Sequence, residues 1–138
     1  MKNTFLAIDL GAGSGRAMLG EITNGLLTLR EIHRFANEPV FTDGHGYWNI
    51  DHLFAEIKKS LATVAEQNLP VESIGIDTWG VDFALMGDDG IPGQAFIYRD
   101  VKNDGMVDAF AELMPVDKLY GQTGIQISQI NSLFQILA

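Results

Sequence analysis

Asp9 follows the apolar run Phe5-Leu6-Ala7-Ile8 and opens onto Leu10-Gly11-Ala12-Gly13-Ser14-Gly15-Arg16, so one carboxylate is coupled to a glycine-rich turn. A metal-bound polyphosphate needs that pairing. Glycines let consecutive backbone N–H groups converge on phosphate oxygens with no Cβ in the way, and the acid can hold magnesium directly or through water. Gly11, Ala12, Gly13, Ser14, Gly15 and Arg16 are therefore the candidate phosphate cradle, and Asp9 the candidate metal ligand. Asp9 reads as that ligand in preference to a strand-end cap, whereas Arg16 serves equally well as a phosphate partner or a solvated strand residue.

The residues C-terminal to the glycines separate the phosphate-binding designs that could use them. A P-loop requires Gly-Lys-Ser/Thr, and this chain has Gly15-Arg16-Ala17. The dinucleotide fingerprint requires G-x-G-x-x-G with a helix opening inside it, and the spacing here is G-x-G-x-G. Gly20 and the hairpin dipeptide Asn24-Gly25 also speak against a helix, giving the order strand, glycine turn, strand, Asn24-Gly25, strand. Leu26, Leu29, Ile32 and Phe35 recur at three-residue spacing, which an amphipathic helix over the third segment would fit as well.

The glycine turn together with Leu29-Arg30-Glu31-Ile32-His33-Arg34-Phe35, Ile74-Gly75-Ile76-Asp77-Thr78-Trp79-Gly80-Val81-Asp82-Phe83, Tyr98-Arg99-Asp100 and Gly124-Ile125-Gln126 resembles the FGGY carbohydrate kinases. Asp77 to Phe83 is the most specific block; Gly13 departs from the family's pattern, in which a non-glycine residue is common there. The resemblance implies an α/β fold of the actin-like ATPase (ribonuclease H-like) type, a mixed sheet with flanking helices. It also implies ATP and Mg2+ as cofactors and a ketose, L-rhamnulose foremost, as the acceptor. Gly80, Asp82, Tyr98, Arg99 and Asp100 would line the sugar side with Asp77, which is also placed by a strand that brings its carboxylate to the ligand-side edge of the sheet. Gly80 would let backbone approach the ketose and Asp82 would accept from its hydroxyls; a turn glycine and a solvated strand residue are the plainer alternatives. Trp79 is open between core packing and a sugar platform.

Members of that family are longer, with two actin-like domains closing over a cleft. Residues 1–138 are accordingly expected to be part of the N-terminal kinase domain, with the second domain absent, the general-base aspartate beyond Ala138, and no activity from this segment alone. The alternatives are a kinase of the same family for fuculose, xylulose, glycerol or a quorum signal, and a non-catalytic actin-like nucleotide-binding module.

Composition narrows the partners. With 138 residues, 46% of them hydrophobic, the chain can bury one core. A formal net charge of −9 disfavours nucleic acid and anionic membrane surfaces, so a phosphate ligand must be held by local amides and metal. The absence of cysteine removes disulfides and thiolate metal sites and agrees with a cytoplasmic location. No segment approaches the ~20 apolar residues of a membrane span.

No repeat or linker interrupts the chain, which reads as one continuous α/β unit. A loop at Asp43-Gly44-His45-Gly46 leads to a helix starting near Asp51, with Leu53, Ile57, Ser60, Leu61 and Val64 on one face and a stop at Pro70. Ile74-Gly75-Ile76 reads as a buried strand, Val81 to Met86 as another ending at Asp88-Asp89-Gly90, and Ala95 to Tyr98 as a short one. Met106, Phe110, Leu113 and Met114 mark a helix ending at Pro115. Ile130, Leu133, Phe134 and Leu137 have helical spacing up to the last residue, and an exposed face of Leu133, Phe134 and Leu137 would favour self-association. His33, His45 and His52 share no ligand spacing and are assigned neither metal nor catalytic roles.

Overall fold

In β1 (Lys2–Leu10), every second residue carries the core: Thr4, Leu6, Ile8 and Leu10 are buried on one face, while Ala7 on the other is exposed. The computed structural model describes residues 2–90 and 92–138. β2 (Ser14–Thr23) runs antiparallel to β1 and adds Ala17 and Leu19 to the buried set. β3 (Leu26–Ala36) runs antiparallel to β2 after the turn Asn24-Gly25, where φ is +51° and +80°. Two successive positive φ values are what a tight hairpin turn requires, so the strand-turn-strand-turn-strand expectation holds.

The third segment is therefore a strand, and its helix-like spacing has a physical cause. Ala17 pairs with His33 and Met18 with Glu31, so Ile32 bulges out of register. Ile32 packs against the core three residues from buried Phe35, while Leu26 and Leu29 are exposed. A bulge resets the period-two alternation and so produces the spacing of three.

α1 (Ile50–Glu66) is capped by Asn49, whose side chain accepts from the His52 N–H at 3.0 Å. Leu53 enters the cluster of Leu6, Ile8, Leu10, Ala17 and Phe35, with Ile57, Val64, Val71 and Trp79 packed around it. Trp79 is thus core packing. Burying each large aliphatic chain contributes about 1.5–3 kcal/mol. Leu61, expected on the inner face, is exposed, and Glu56 takes a buried place instead. The helix ends at Glu66, ahead of Pro70, where Asn68 turns the chain with φ at +50°.

Glu56 ties α1 to β3. One carboxylate oxygen meets His33 Nε2 at 2.6 Å and the other accepts from Lys59 Nζ at 2.5 Å. Lys59 first, and His33 next, hold the Glu56 carboxyl below the usual glutamate range against the opposing effect of burial. A depressed carboxyl stabilises the fold above its ordinary value and loses that contribution as pH falls through the folded one. Glu56→Gln is therefore expected to lower the unfolding temperature at neutral pH and to flatten its decline into acid. Parallel thermal-melt profiles of the two proteins check this; identical slopes would remove Glu56 from the account.

The chain divides into two compact units, Met1–Glu38 with Asn49–Trp79 and Pro39–Trp48 with Gly80–Ala138, where one continuous unit was expected. In the second, β4 (Val40–Thr42) and β5 (His45–Tyr47) form a hairpin around Asp43-Gly44, with φ at +52° and +84°, in place of the expected loop.

The first unit is completed by β6 (Ser73–Thr78), which runs parallel to β1 and gives the sheet order β3-β2-β1-β6. The strand forms as expected but is exposed along its length, with Ile74 at 52% and Ile76 at 57%, so the buried-strand expectation is corrected. As an edge strand it is paired on one side only, which leaves one row of its backbone N–H and C=O groups outside the ladder.

The rest of the second unit is mostly irregular. Val81 to Met86 is not a strand; a single bridge joins Met86 to Pro92. Ala95 to Tyr98 makes one bridge, Phe96 to Tyr47, rather than a strand. α2 (Met106–Ala111) stops four residues before Pro115, α3 (Val116–Thr123) was not anticipated, and α4 (Ser132–Leu137) closes the described chain. Phe134 is buried, edge-on to Phe110 at 5.5 Å, which removes it from the exposed face expected of the last helix; Leu133 and Leu137 remain partly exposed. Among the described residues no helix is long and apolar enough to cross a membrane.

Candidate functional site

The glycine turn is built by three local constraints. Gly11 N–H donates to the Ser14 carbonyl at 3.0 Å, and a Cβ on Gly11 would lie 2.8 Å from that same oxygen. A Cβ on Gly15 would lie 2.2 Å from the Phe35 ring, so both positions exclude a side chain. Gly13 is different: a Cβ there meets no protein atom within 4 Å. The turn is closed beneath and open above.

Asn37 braces it from beneath. Its side-chain Nδ2 donates to the Gly11 carbonyl at 2.9 Å and its backbone N–H to the Gly13 carbonyl at 3.2 Å, from a residue only 2% exposed. In a trans peptide the C=O and the following N–H point in opposite directions. Fixing the Gly11 and Gly13 carbonyls toward Asn37 therefore turns the Ala12 and Ser14 N–H groups away from it, as an anion cradle requires.

Asp9, at the C-terminal end of β1, is flanked in register by Arg16 on β2 and Asp77 on β6. Arg16 Nε donates to Asp9 Oδ2 at 2.9 Å and Nη2 makes an ion pair with the same oxygen at 2.9 Å, with the two side chains about half exposed. Exposed pairs of this kind are worth ~0–1 kcal/mol, so stability is a weak reason for placing them there. Asp77 is exposed and accepts from the Thr78 N–H at 2.9 Å. Magnesium usually keeps several waters and takes one or two protein carboxylates together with substrate phosphates. Asp9 fits that demand, since Arg16 occupies Oδ2 and leaves Oδ1 outside the pair. No group of three or more His, Cys, Asp or Glu able to hold a metal by itself occurs among the described residues.

The second unit gathers the remaining expected residues around aromatic side chains. Trp48 Nε1 donates to Asp82 Oδ2 at 2.5 Å, the Trp48 and Tyr98 rings lie 6.5 Å apart, and the Arg99 guanidinium sits 5.1 Å above Tyr98. Gly80 is exposed, and a Cβ on it would meet nothing within 4 Å. Asp100 is held by the protein itself. It is 3% exposed, with His45 Nδ1 at 2.8 Å from Oδ1, the Lys102 N–H at 3.0 Å from Oδ1 and the Gly46 N–H at 2.6 Å from Oδ2. Burial pushes its carboxyl up, but the bonds from Gly46, His45 and Lys102 outweigh it and the net displacement is downward. Asp100 therefore clasps the β4–β5 hairpin.

Asn37, Trp48 and His45 are members of these arrangements that sequence reasoning missed. Asn37 lies two residues past a recognised block, which was its only signal.

The mixed sheet, with an aspartate and a glycine turn between its first two strands, has the actin-like ATPase type of fold and is shared with solved sugar kinases. The gluconate kinase from Lactobacillus acidophilus matches 99% of this chain and 28% of its own with a TM-score of 0.81 at 12% identity. The xylulose kinase from Lactobacillus acidophilus matches 98% of this chain and 28% of its own with a TM-score of 0.80 at 12% identity. In sequence the chain is similar to curated rhamnulokinases: that of Bacteroides thetaiotaomicron is 47% identical over 137 residues, 99% of this chain and 28% of the relative. That of Lactiplantibacillus plantarum is 40% identical over 134 residues, 96% of this chain and 28% of the relative. The chain thus spans 28% of the length of these relatives. No protein-family profile matches the chain.

Proposed function

We propose that residues 1–138 form part of the N-terminal domain of a longer, cytoplasmic, ATP-dependent ketose kinase that phosphorylates L-rhamnulose at O1. The observation that carries this reading is the glycine turn braced by Asn37, its amides directed outward beside the Asp9 carboxylate. Phosphoryl transfer asks a protein mainly for positioning and charge neutralisation, with a base for the acceptor hydroxyl. The Gly11 to Arg16 turn would hold the ATP phosphates, and Asp9 would hold Mg2+ beside them, Arg16 adding a second cation at the same sheet end. Bound there, magnesium would neutralise phosphate charge. Asp77, Gly80, Asp82, Tyr98, Arg99 and Asp100 would line the sugar, as the family resemblance implies. The general base is assigned to residues after Ala138. The 47% identity to a rhamnulokinase supports L-rhamnulose over other ketoses.

The test is a coupled ADP-release assay of the full-length enzyme, the protein that carries this segment at the length of its relatives, across ketoses and polyols. Highest kcat/KM is expected for L-rhamnulose, and preference for glycerol or D-xylulose would refute that substrate while leaving the kinase class. Gly80→Leu is expected to lower kcat/KM for the ketose about a hundredfold with the KM for ATP little changed, because open space on the sugar side becomes filled. Equal losses for both substrates would take Gly80 off the sugar side.

A further inference from the structure

Val81 has φ at +73°, in the left-handed region. For a β-branched residue that is a strained conformation, and such strain persists only where the surroundings over-determine it. Here two side chains converge on one atom. The Val81 carbonyl accepts from Ser132 Oγ at 2.5 Å and from Gln135 Nε2 at 3.2 Å, which uses both of its lone pairs. Gln135 is 3% exposed and is itself fixed, since its Nε2 also donates to the Ile130 carbonyl at 2.8 Å. The next residue is pinned from another side, Asp82 accepting from Trp48. The preceding residue, Gly80, has open space above it.

We propose that Ser132 and Gln135 are positioning residues for the sugar-side loop, holding Val81 in its left-handed conformation so that Gly80 and Asp82 are presented to the ketose in one fixed arrangement. The inference rests on the reading of Gly80 and Asp82 as sugar-side residues. Pre-setting the loop removes the ordering that ketose binding would otherwise impose, so the clamp acts on sugar affinity and leaves the nucleotide turn alone. Val81 also lines an apolar cavity of about 340 Å³ with Ile125, Ile127 and Leu133.

The experiment is steady-state kinetics of the full-length enzyme with L-rhamnulose. Ser132→Ala/Gln135→Met is expected to raise the ketose KM about tenfold or more, with the KM for ATP and sugar-independent ATP hydrolysis within about twofold of wild type. Ser132→Thr, which keeps the hydroxyl, is expected to stay near wild type. Adding Val81→Gly to the double variant is expected to recover part of the lost affinity, because glycine enters the left-handed region without strain although its greater freedom still has to be ordered. If the double variant does not fold, Ser132→Ala alone carries the test, with an expected ketose-specific rise of about threefold. Unchanged ketose KM in a folded variant, parallel loss for both substrates, or no recovery by Val81→Gly would overturn the inference alone. A wild-type enzyme that phosphorylates no ketose would overturn the reading of the loop and the inference with it.

Discussion

Asp9→Ala in the full-length enzyme is expected to lower kcat about a thousandfold, ~4 kcal/mol of transition-state stabilisation at ~1.4 kcal/mol per decade, while affinity for ATP without magnesium stays near wild type. The size reflects the task of the carboxylate in the proposed site. It is the acid at the root of the cradle, in register between Arg16 and Asp77, and its removal takes away the group that would place a divalent cation against the phosphates. Stability should hardly move, since the Asp9 and Arg16 side chains are about half exposed and such pairs contribute ~0–1 kcal/mol. Asp9→Asn should behave like Asp9→Ala, because shape is kept and charge is lost. Arg16, released from its partner, would favour free ATP slightly, so the metal-free affinity should not fall. Turnover in Asp9→Ala near that of wild type, with saturating magnesium, would remove Asp9 from the metal role.

The first three strands and α1 were legible because their determinants are local. The apolar run of β1, a turn dipeptide that accepts two positive φ values, and an apolar helical face each act within a few residues of themselves. Even the third segment was ambiguous for a local reason, the bulge at Ile32. The second unit was harder to read because its backbone is held from far along the chain. Val81 is fixed by side chains 51 and 54 residues away, and no strand ladder or periodicity records that. The Asp43-Gly44 hairpin did carry a sequence signal, the same kind as Asn24-Gly25, but its strands are only three residues each and give no usable alternation. The partners of Asp100 were hidden for a related reason: they lie 54 and 55 residues earlier at Gly46 and His45. Of the glycine turn, the strand-turn-strand shape was legible and the brace was not. Asn37 acts through backbone carbonyls, which every residue possesses, so nothing about the sequence marks which ones it will hold.

The open position in that turn supplies the second large effect. Gly13→Val is expected to leave stability within ~0.5 kcal/mol of wild type, because a Cβ at Gly13 meets no protein atom within 4 Å and its φ is not in the left-handed region. The KM for ATP should nevertheless rise about tenfold or more, with the KM for the ketose unchanged. A branched side chain would stand in the space that phosphate oxygens must enter to reach the Ala12 and Ser14 N–H groups. Gly11→Val provides the contrast, since its Cβ would press on the Ser14 carbonyl at 2.8 Å and cost stability as well as nucleotide affinity. Separating the two requires only melting curves and KM values for both substrates. An unchanged KM for ATP in a stable Gly13→Val enzyme would make Gly13 a turn residue alone, and would move the phosphate cradle away from the one face of the turn that the protein leaves empty.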